Sequence, residues 1–475
     1  MTNPMITSSP WTAKAKGQFA KWSPHLYADR ITTPYTGRLR NANRKEVLAA
    51  VLLLLAGLLI RVALSSPTTI TGDSLRFLAQ ARDLAVGSAD LIPGDPFSAV
   101  PPGYPLFIRA TGWITPGVAF LLGVQLLLSV LTLLFFWLAA RRRSRKGALV
   151  ALALLALNPW LARQQALVMS ETLGAFLIAV TVLLWPAPGR PLAALRAFAL
   201  GALAVGTSLV TPAAAFVAVP VLGVLAWRNR RCAAAVGLMA AGMFLVLAPW
   251  QVYLLEKTGR VEPLLLRPLG SGRAGLQMWL RTWSTTPQDK WVWWSREVRR
   301  ELPEWALGQG PERALIRKAL EEAPGGYAGY VIGSGYDETF REAARARRTE
   351  HPVLFWIGLP LVRSVTLWLD YRSMIGVPEY LRRAGGFLRT SYWATHVVFW
   401  SVNLVTLGLF GWGTVRAFRL RDALLLAVVA GAVAYSLASA VSAKGEFRRN
   451  LTLEPALALL VCAVPASGRP GEPGS

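Results

Sequence analysis

Residues 117–140 run without a single charged side chain. A helix needs about 20 apolar residues to cross roughly 30 Å of hydrocarbon. Further apolar runs occupy 47–64, 147–160, 171–185, 192–227, 232–250, 392–415, 422–441 and 451–464. In lipid each backbone N–H and C=O must find its partner within the protein, which restricts such runs to helices or a closed barrel. Runs this long are helical in kind, since a barrel strand needs only about 10 residues. Composition agrees: 53% of the chain is hydrophobic and 16% charged, against about 25% charged in soluble domains. The expected fold is an all-α polytopic membrane protein.

The formal charge of +25 raises the question of a nucleic-acid partner. The basic residues sit where a membrane protein places them. Arg38, Arg40, Arg44 and Lys45 precede the first run, 141–146 follows the second, and Arg228, Arg230 and Arg231 come later. That is the pattern of cytoplasmic loops, so no nucleic acid is expected as a partner. The first forty-odd residues are polar and basic, without the apolar stretch of a secretory signal. Cys232 and Cys462 lie in or beside apolar runs and form no metal-ligand spacing.

The expected organisation has five parts. Residues 1–46 form a basic cytoplasmic tail. Residues 47–251 form an N-terminal transmembrane module that includes a first outer loop, 65–116. Residues 252–391 are a larger, mostly helical outer insertion, with helices near 288–301, 311–323 and 337–348. Residues 392–465 return to the membrane, and 466–475 form a disordered tail. Within the first loop, Leu75, Leu78, Ala81, Leu84 and Ala85 recur at helical spacing over 71–86, with Gly87 as the stop. An apolar stripe of that kind suits an interfacial helix. The run 192–227 breaks at Thr211-Pro212. The segment 351–369 is apolar enough to span but carries Arg363. If it spans, Arg416, Arg419 and Arg421 fall outside, against the positive-inside rule. The expectation is therefore about ten spans with 351–369 interfacial, or eleven if it crosses. Arg61 sits at a span end, where it can snorkel.

With ten spans and the N-terminus inside, the polar groups of interest share the outer face. Asp73, Glu171, the Thr211 break, the insertion and the loop holding Lys444, Arg448 and Arg449 meet there. Carboxylates there can accept a proton from an attacking hydroxyl, and cations can hold phosphate. Each group also has a plainer role. Asp73 can be a helix N-cap. Glu171 can complement the dipole of the span it opens. Arg448 and Arg449 can be interfacial anchors. Trp279, Trp283, Trp291, Trp293 and Trp294 suit an aromatic belt, or a surface on which a sugar stacks.

The order of these motifs resembles a known pattern. Asp73 is followed by Phe77 and Ala81, then by the Pro-Pro-x-Tyr-Pro turn of Pro101, Pro102, Tyr104 and Pro105. Asn158-Pro159 and Ser170-Glu171 come next, then Pro249-Trp250, Gly259 and Pro263. A helix runs to the His351-Pro352 step, and Glu446, Arg448 and Pro455 close the chain. This arrangement resembles the GT-C superfamily of membrane glycosyltransferases. It is most like the family-39-like enzymes, which include protein O-mannosyltransferases and the lipid A aminoarabinose transferase. The resemblance covers about residues 47–465 and lies in the order of the motifs, not in any single one. The chain departs from it at Phe77, where the family has Tyr, at Thr211, where it has Arg, and at Arg448-Arg449, where it has Arg-Tyr.

The resemblance implies a GT-C type fold in the cell's inner (plasma) membrane, with the active site on the outer or periplasmic face. It implies inverting transfer of a sugar from a polyprenyl-phosphate donor to a glycan, lipid or protein acceptor. Asp73 would be the general base, Glu171 a supporting acid or a substrate contact, and Arg448, Arg449 and Lys444 the donor-phosphate cations. Phe77, Pro102, Tyr104 and Pro105 would shape the first loop. No cofactor is required; the sequence has no Asp-x-Asp or carboxylate cluster that calls for a metal, and dependence on a divalent ion is left open. The competing classes are a transporter or lipid flippase, which would place charges inside spans, and a non-catalytic subunit of envelope assembly.

Overall fold

The computed structural model describes residues 44–64, 72–86, 101–114, 117–165, 167–186, 192–229, 233–258, 274–286, 289, 302–322, 334–369, 386–442 and 453–463. Every regular element among them is helical. Four are long and apolar enough to cross a membrane: α1 (Arg44–Leu64), α4 (Val118–Arg141), α10 (Ala233–Thr258) and α17 (Ala423–Ser442). Between α1 and α4 lie α2 (Gly72–Val86) and α3 (Gly103–Ile114). The shorter apolar helices α7 (Ser170–Leu184), α8 (Ala194–Val210) and α9 (Ala213–Arg228) pack among the long ones.

Two expected spans take a different form. The run 147–160 is not one helix but two, α5 (Arg145–Leu157) and α6 (Pro159–Gln165). Asn158 causes the break: its Oδ1 accepts the Leu161 N–H at 3.2 Å, and Pro159 takes the first helical position, where its missing N–H costs nothing. The last run, 451–464, is described as α18 (Glu454–Leu457) followed by a 3₁₀ segment, Ala458–Ala463. Together they rise only about 18 Å. Leu453 and Ala456 through Val461 are all buried, packed on α5 and on α16 (Gly386–Arg419). This element is enclosed by protein.

Small residues set the tightest helix pair. A Cβ added to Gly201 of α8 would stand 1.9 Å from the Met239 carbonyl of α10, and one added to Gly242 would stand 2.1 Å from the Phe198 carbonyl. The two backbones touch reciprocally, as small residues allow in membranes. Gly431 of α17 approaches the Phe216 carbonyl of α9 in the same way.

One face of the bundle is tied by ions and caps. Glu46 at the start of α1 pairs with Arg141 at 2.7 Å. Arg143 pairs with Asp422, whose Oδ1 also caps α17 through the Leu424 and Leu425 N–H groups. The turn carrying Arg416, Arg419 and Arg421 therefore shares a face with the basic 141–146 turn. Arg61 does not snorkel. It is fully buried, and donates to Ser129 Oγ at 2.6 Å and to the carbonyls of Gly57, Ala156 and Leu155. Leu155 and Ala156 end α5, so Arg61 supplies donors to carbonyls that the helix leaves open.

The insertion has its own hydrophobic cluster, built by α11 (Ala274–Leu280), α12 (Glu304–Leu307), α13 (Gly310–Glu322) and α14 (Ser334–Glu350). Buried Asp337 accepts the Gly275 and Leu276 N–H groups at 3.0 and 3.1 Å, capping α11 from α14. Trp279 and Trp283 lie in this core, 5.3 Å apart, with Phe340 5.1 Å from Trp279. They are not part of a belt; Trp291, Trp293 and Trp294 lie outside the described residues, as does the expected helix near 288–301 apart from Asp289. At His351 the chain bends by 104° into a π-helical turn, Leu354–Gly358, and α15 (Leu359–Leu369).

Candidate active site

On the face away from the ion pairs, the first-loop helices close over the bundle. α2 and α3 pack together and reach the start of α4, the start of α7 and the end of α8. Tyr104 is the fully buried centre of this cluster. Its ring meets Phe77 of α2 edge-on at 4.9 Å and stacks on Phe107 at 5.9 Å. Pro102 and Pro105 bracket it, both buried, and the Pro102 carbonyl accepts the Leu106 N–H at 2.9 Å to start α3. Gly103 is needed for closeness: a Cβ there would stand 2.7 Å from Val210 and 2.9 Å from the Leu209 carbonyl.

The Tyr104 hydroxyl donates to Gln125 Oε1. Gln125 Nε2 in turn donates to the Leu167 carbonyl at 2.7 Å. Burial pushes the Tyr104 phenol well above its ordinary range, the Glu171 charge pushes it further, and a backbone hydrogen bond at Met169 opposes both. The phenol is therefore held neutral, as a donor. Gln125 was not a candidate from sequence, although a lone amide in an otherwise polar-poor apolar run was the available signal.

Glu171 is buried in the first turn of α7. Ser170 Oγ lies 3.5 Å from its Oε2. A carboxylate at a helix N-terminus is favoured by the dipole, and here the same carboxylate acts on Tyr104. Asp73 lies in the first turn of α2, one helical turn, about 6 Å along the axis, before Phe77. Asp73 therefore stands on the same helix as the Phe77 ring that meets Tyr104. Thr211, buried at the end of α8, follows Val210 of the same cluster. Lys444, Arg448 and Arg449 lie outside the described residues. They follow α17, whose last turns meet the start of α9, with Tyr435 and Phe216 rings 5.7 Å apart.

The structure therefore brings Phe77, Tyr104 and Glu171 together, with Pro102 and Pro105 flanking Tyr104, while Asp73 is placed only as lying one turn before Phe77 on α2. Chemically, the assembly offers a carboxylate at a helix start beside a neutral, buried phenol. Among the described residues, no three His, Cys, Asp or Glu side chains group as metal ligands. Compared with protein-family models, curated proteins and solved structures, the chain matches none.

Proposed function

We propose that the chain is an integral-membrane glycosyltransferase of GT-C type that moves a sugar from a polyprenyl-phosphate carrier to a glycan, lipid or protein acceptor on the outer face of the plasma membrane. The observation that carries this reading is the closure of α2 and α3, through Tyr104, onto the Ser170-Glu171 start of α7 and the Thr211-Pro212 break. The helix of Phe77 and Ala81, the Pro-Pro-x-Tyr-Pro turn and Ser170-Glu171, three motifs of the order that suggested the resemblance, thereby become neighbours. The ion pair between Arg143 and Asp422 favours the ten-span topology, because it keeps the α16–α17 turn with the cytoplasmic arginines. In that topology the Tyr104 cluster faces outward.

In the proposed reaction Asp73 takes the proton of the acceptor hydroxyl as its oxygen attacks the anomeric carbon. The bond from that carbon to the phosphate oxygen breaks, and polyprenyl phosphate leaves with the electron pair. Lys444, Arg448 and Arg449 would neutralise the charge that develops on the leaving phosphate. Glu171 and Tyr104 position α2 and its base. The transporter reading loses ground at Arg61, the buried cation of the first span, which is committed to carbonyls of its own helix bundle.

General-base assistance contributes about 10²–10⁴-fold. In cells lacking the native chain, wild type is expected to restore the envelope glycan and Asp73→Asn to slow its appearance by that factor, at equal protein level. Restoration at the wild-type rate by Asp73→Asn would remove Asp73 from the chemistry. An envelope glycan profile indifferent to the presence of the protein would overturn the transferase reading itself.

A further inference from the structure

Gln125 stands in α4, inside the run 117–140 that carries no charge. With Ser129 and Thr132 it is wholly buried, and steps of four and three put all three on one stripe of the helix. Packing alone would be served there by leucine, since a buried amide costs free energy unless both its ends are bonded. Both ends of Gln125 are bonded, and to different parts of the chain.

Its Oε1 accepts the Tyr104 hydroxyl of α3, and its Nε2 donates to the Leu167 carbonyl at 2.7 Å. Leu167 lies between α6 and α7, and its own N–H donates to the Gln164 carbonyl at 3.2 Å. Just beyond it the chain opens α7 with Ser170 and the buried Glu171. The same stripe of α4 holds this segment at its other end. Ser129, one turn or about 6 Å along the axis from Gln125, accepts Arg61 Nε at 2.6 Å. Arg61 in turn donates to the Leu155 and Ala156 carbonyls. Residues 155–167 are thus fastened before the Asn158 break and again after α6, so α7 starts from a fixed point.

That point lies against the first-loop helices. Tyr104, Leu121, Val168 and Leu173 share one apolar cluster, and the Glu171 charge acts on the Tyr104 phenol. Freeing the Leu167 carbonyl would let Glu171 move relative to Tyr104. Freeing the Tyr104 hydroxyl would loosen α3 from α4. A buried network with every member bonded holds one arrangement.

We infer that Gln125 is a positioning residue of the candidate site: it holds the Leu167–Glu171 turn and the Tyr104 hydroxyl in one register, and acts on the reaction through Glu171. The inference rests on the transferase reading.

The test uses cells lacking the native chain and reads the rate at which the envelope glycan is restored, at equal levels of detergent-soluble protein. Gln125→Met keeps the length and removes both bonds. It is expected to slow restoration about tenfold, the scale of a sub-ångström misplacement. Thr132→Val removes a buried hydroxyl bonded within α4, to the Leu128 carbonyl at 2.7 Å, and should stay within twofold of wild type. Glu171→Gln should slow restoration at least threefold. Combined with Gln125→Met, it should be no more than twofold slower than the slower single variant, because the two changes disable one device. Factors that multiply would make Gln125 a stabilising residue alone and overturn the inference. So would a loss below threefold in Gln125→Met, an equal loss in Thr132→Val, or a wild-type rate in Glu171→Gln. A glycan that does not depend on the protein is a different result: it overturns the transferase reading, and this inference with it. Should Gln125→Met not fold, Gln125→Asn, whose amide is one methylene short of both partners, must slow restoration at least threefold, and a smaller loss overturns the assignment.

Discussion

At the scale of single residues, Tyr104 carries the most argument. Its ring fills the junction of α2, α3, α4 and α7, and its hydroxyl links that junction to Gln125. Tyr104→Phe keeps the ring and removes the bond. The cost is expected to be about 1–3 kcal/mol, read as a lower midpoint of thermal unfolding in detergent. The pH dependence has a definite sign. The folded state holds the phenol protonated above its ordinary value near 10. Its stabilising contribution is therefore fully present below about pH 10 and is lost as the pH rises from there through the raised value. The gap between wild type and Tyr104→Phe should stay constant from pH 7 to 9 and shrink above about pH 10. A gap that widens there would mean that Glu171 and burial do not act on this phenol. The sequence marked Tyr104 through its prolines and its place in the motif order. It did not mark Gln125 as the partner, because a contact across 21 positions leaves no local periodicity. Arg61 shows the opposite error: a cation near a span end reads as snorkelling, and only the packed bundle reveals the carbonyls it serves.

At the scale of elements, α8 and α10 form the closest pair. Gly201 and Gly242 each stand where a Cβ would strike the other helix's backbone. A backbone cannot swing aside as a side chain can, so substitution must separate the helices. Gly201→Leu is expected to destabilise by about 2–3 kcal/mol or more through overpacking, seen as a lower unfolding midpoint. Gly206→Leu serves as the control, since a Cβ there meets nothing within 4 Å, and should fall within about 0.5 kcal/mol of wild type. Equal losses would remove the close approach as the cause. Helix existence was legible where the apolar spacing was regular: 71–86 was expected from its periodicity and Gly72–Val86 is found, and the Thr211-Pro212 break stands where the proline puts it. Legibility failed where a cap outranked hydropathy, as at Asn158, and where apolar content meant burial in protein instead of lipid, as at 453–463. The tryptophans of the insertion failed for a related reason. Interfacial and core tryptophans look alike in sequence, and what pairs α11 with α14 is distant in the chain, the Asp337 cap and the Trp279–Phe340 contact.

At the scale of the whole molecule, topology decides whether the Tyr104 cluster faces outward. If 351–369 crossed the membrane, the α16–α17 turn would lie opposite the 141–146 turn, and Arg143 could not reach Asp422. The ion pair, the 104° bend at His351 and the exposed stripe of Leu361 and Val365 on α15 all fit a helix lying along the surface. A labelling experiment separates the cases, and burial decides where the label goes. Ala417, within the basic turn region, is fully buried and would report nothing, whereas Leu420 is 52% exposed and Trp305 of the insertion is 66% exposed. With Cys232 and Cys462 changed to Ser, Trp305→Cys is expected to react with a membrane-impermeant maleimide on intact cells. Leu420→Cys should react only after the membrane is permeabilised. Reaction of both on intact cells would place 351–369 across the bilayer. It would also turn the 416–421 arginines outward, and break the face shared by Arg143 and Asp422. Reaction of Leu420→Cys alone would invert the molecule. The Tyr104 cluster and Asp73 would then face the cytoplasm, where a lipid-linked donor is no longer the only activated sugar within reach, and the case for polyprenyl phosphate would fall with the topology.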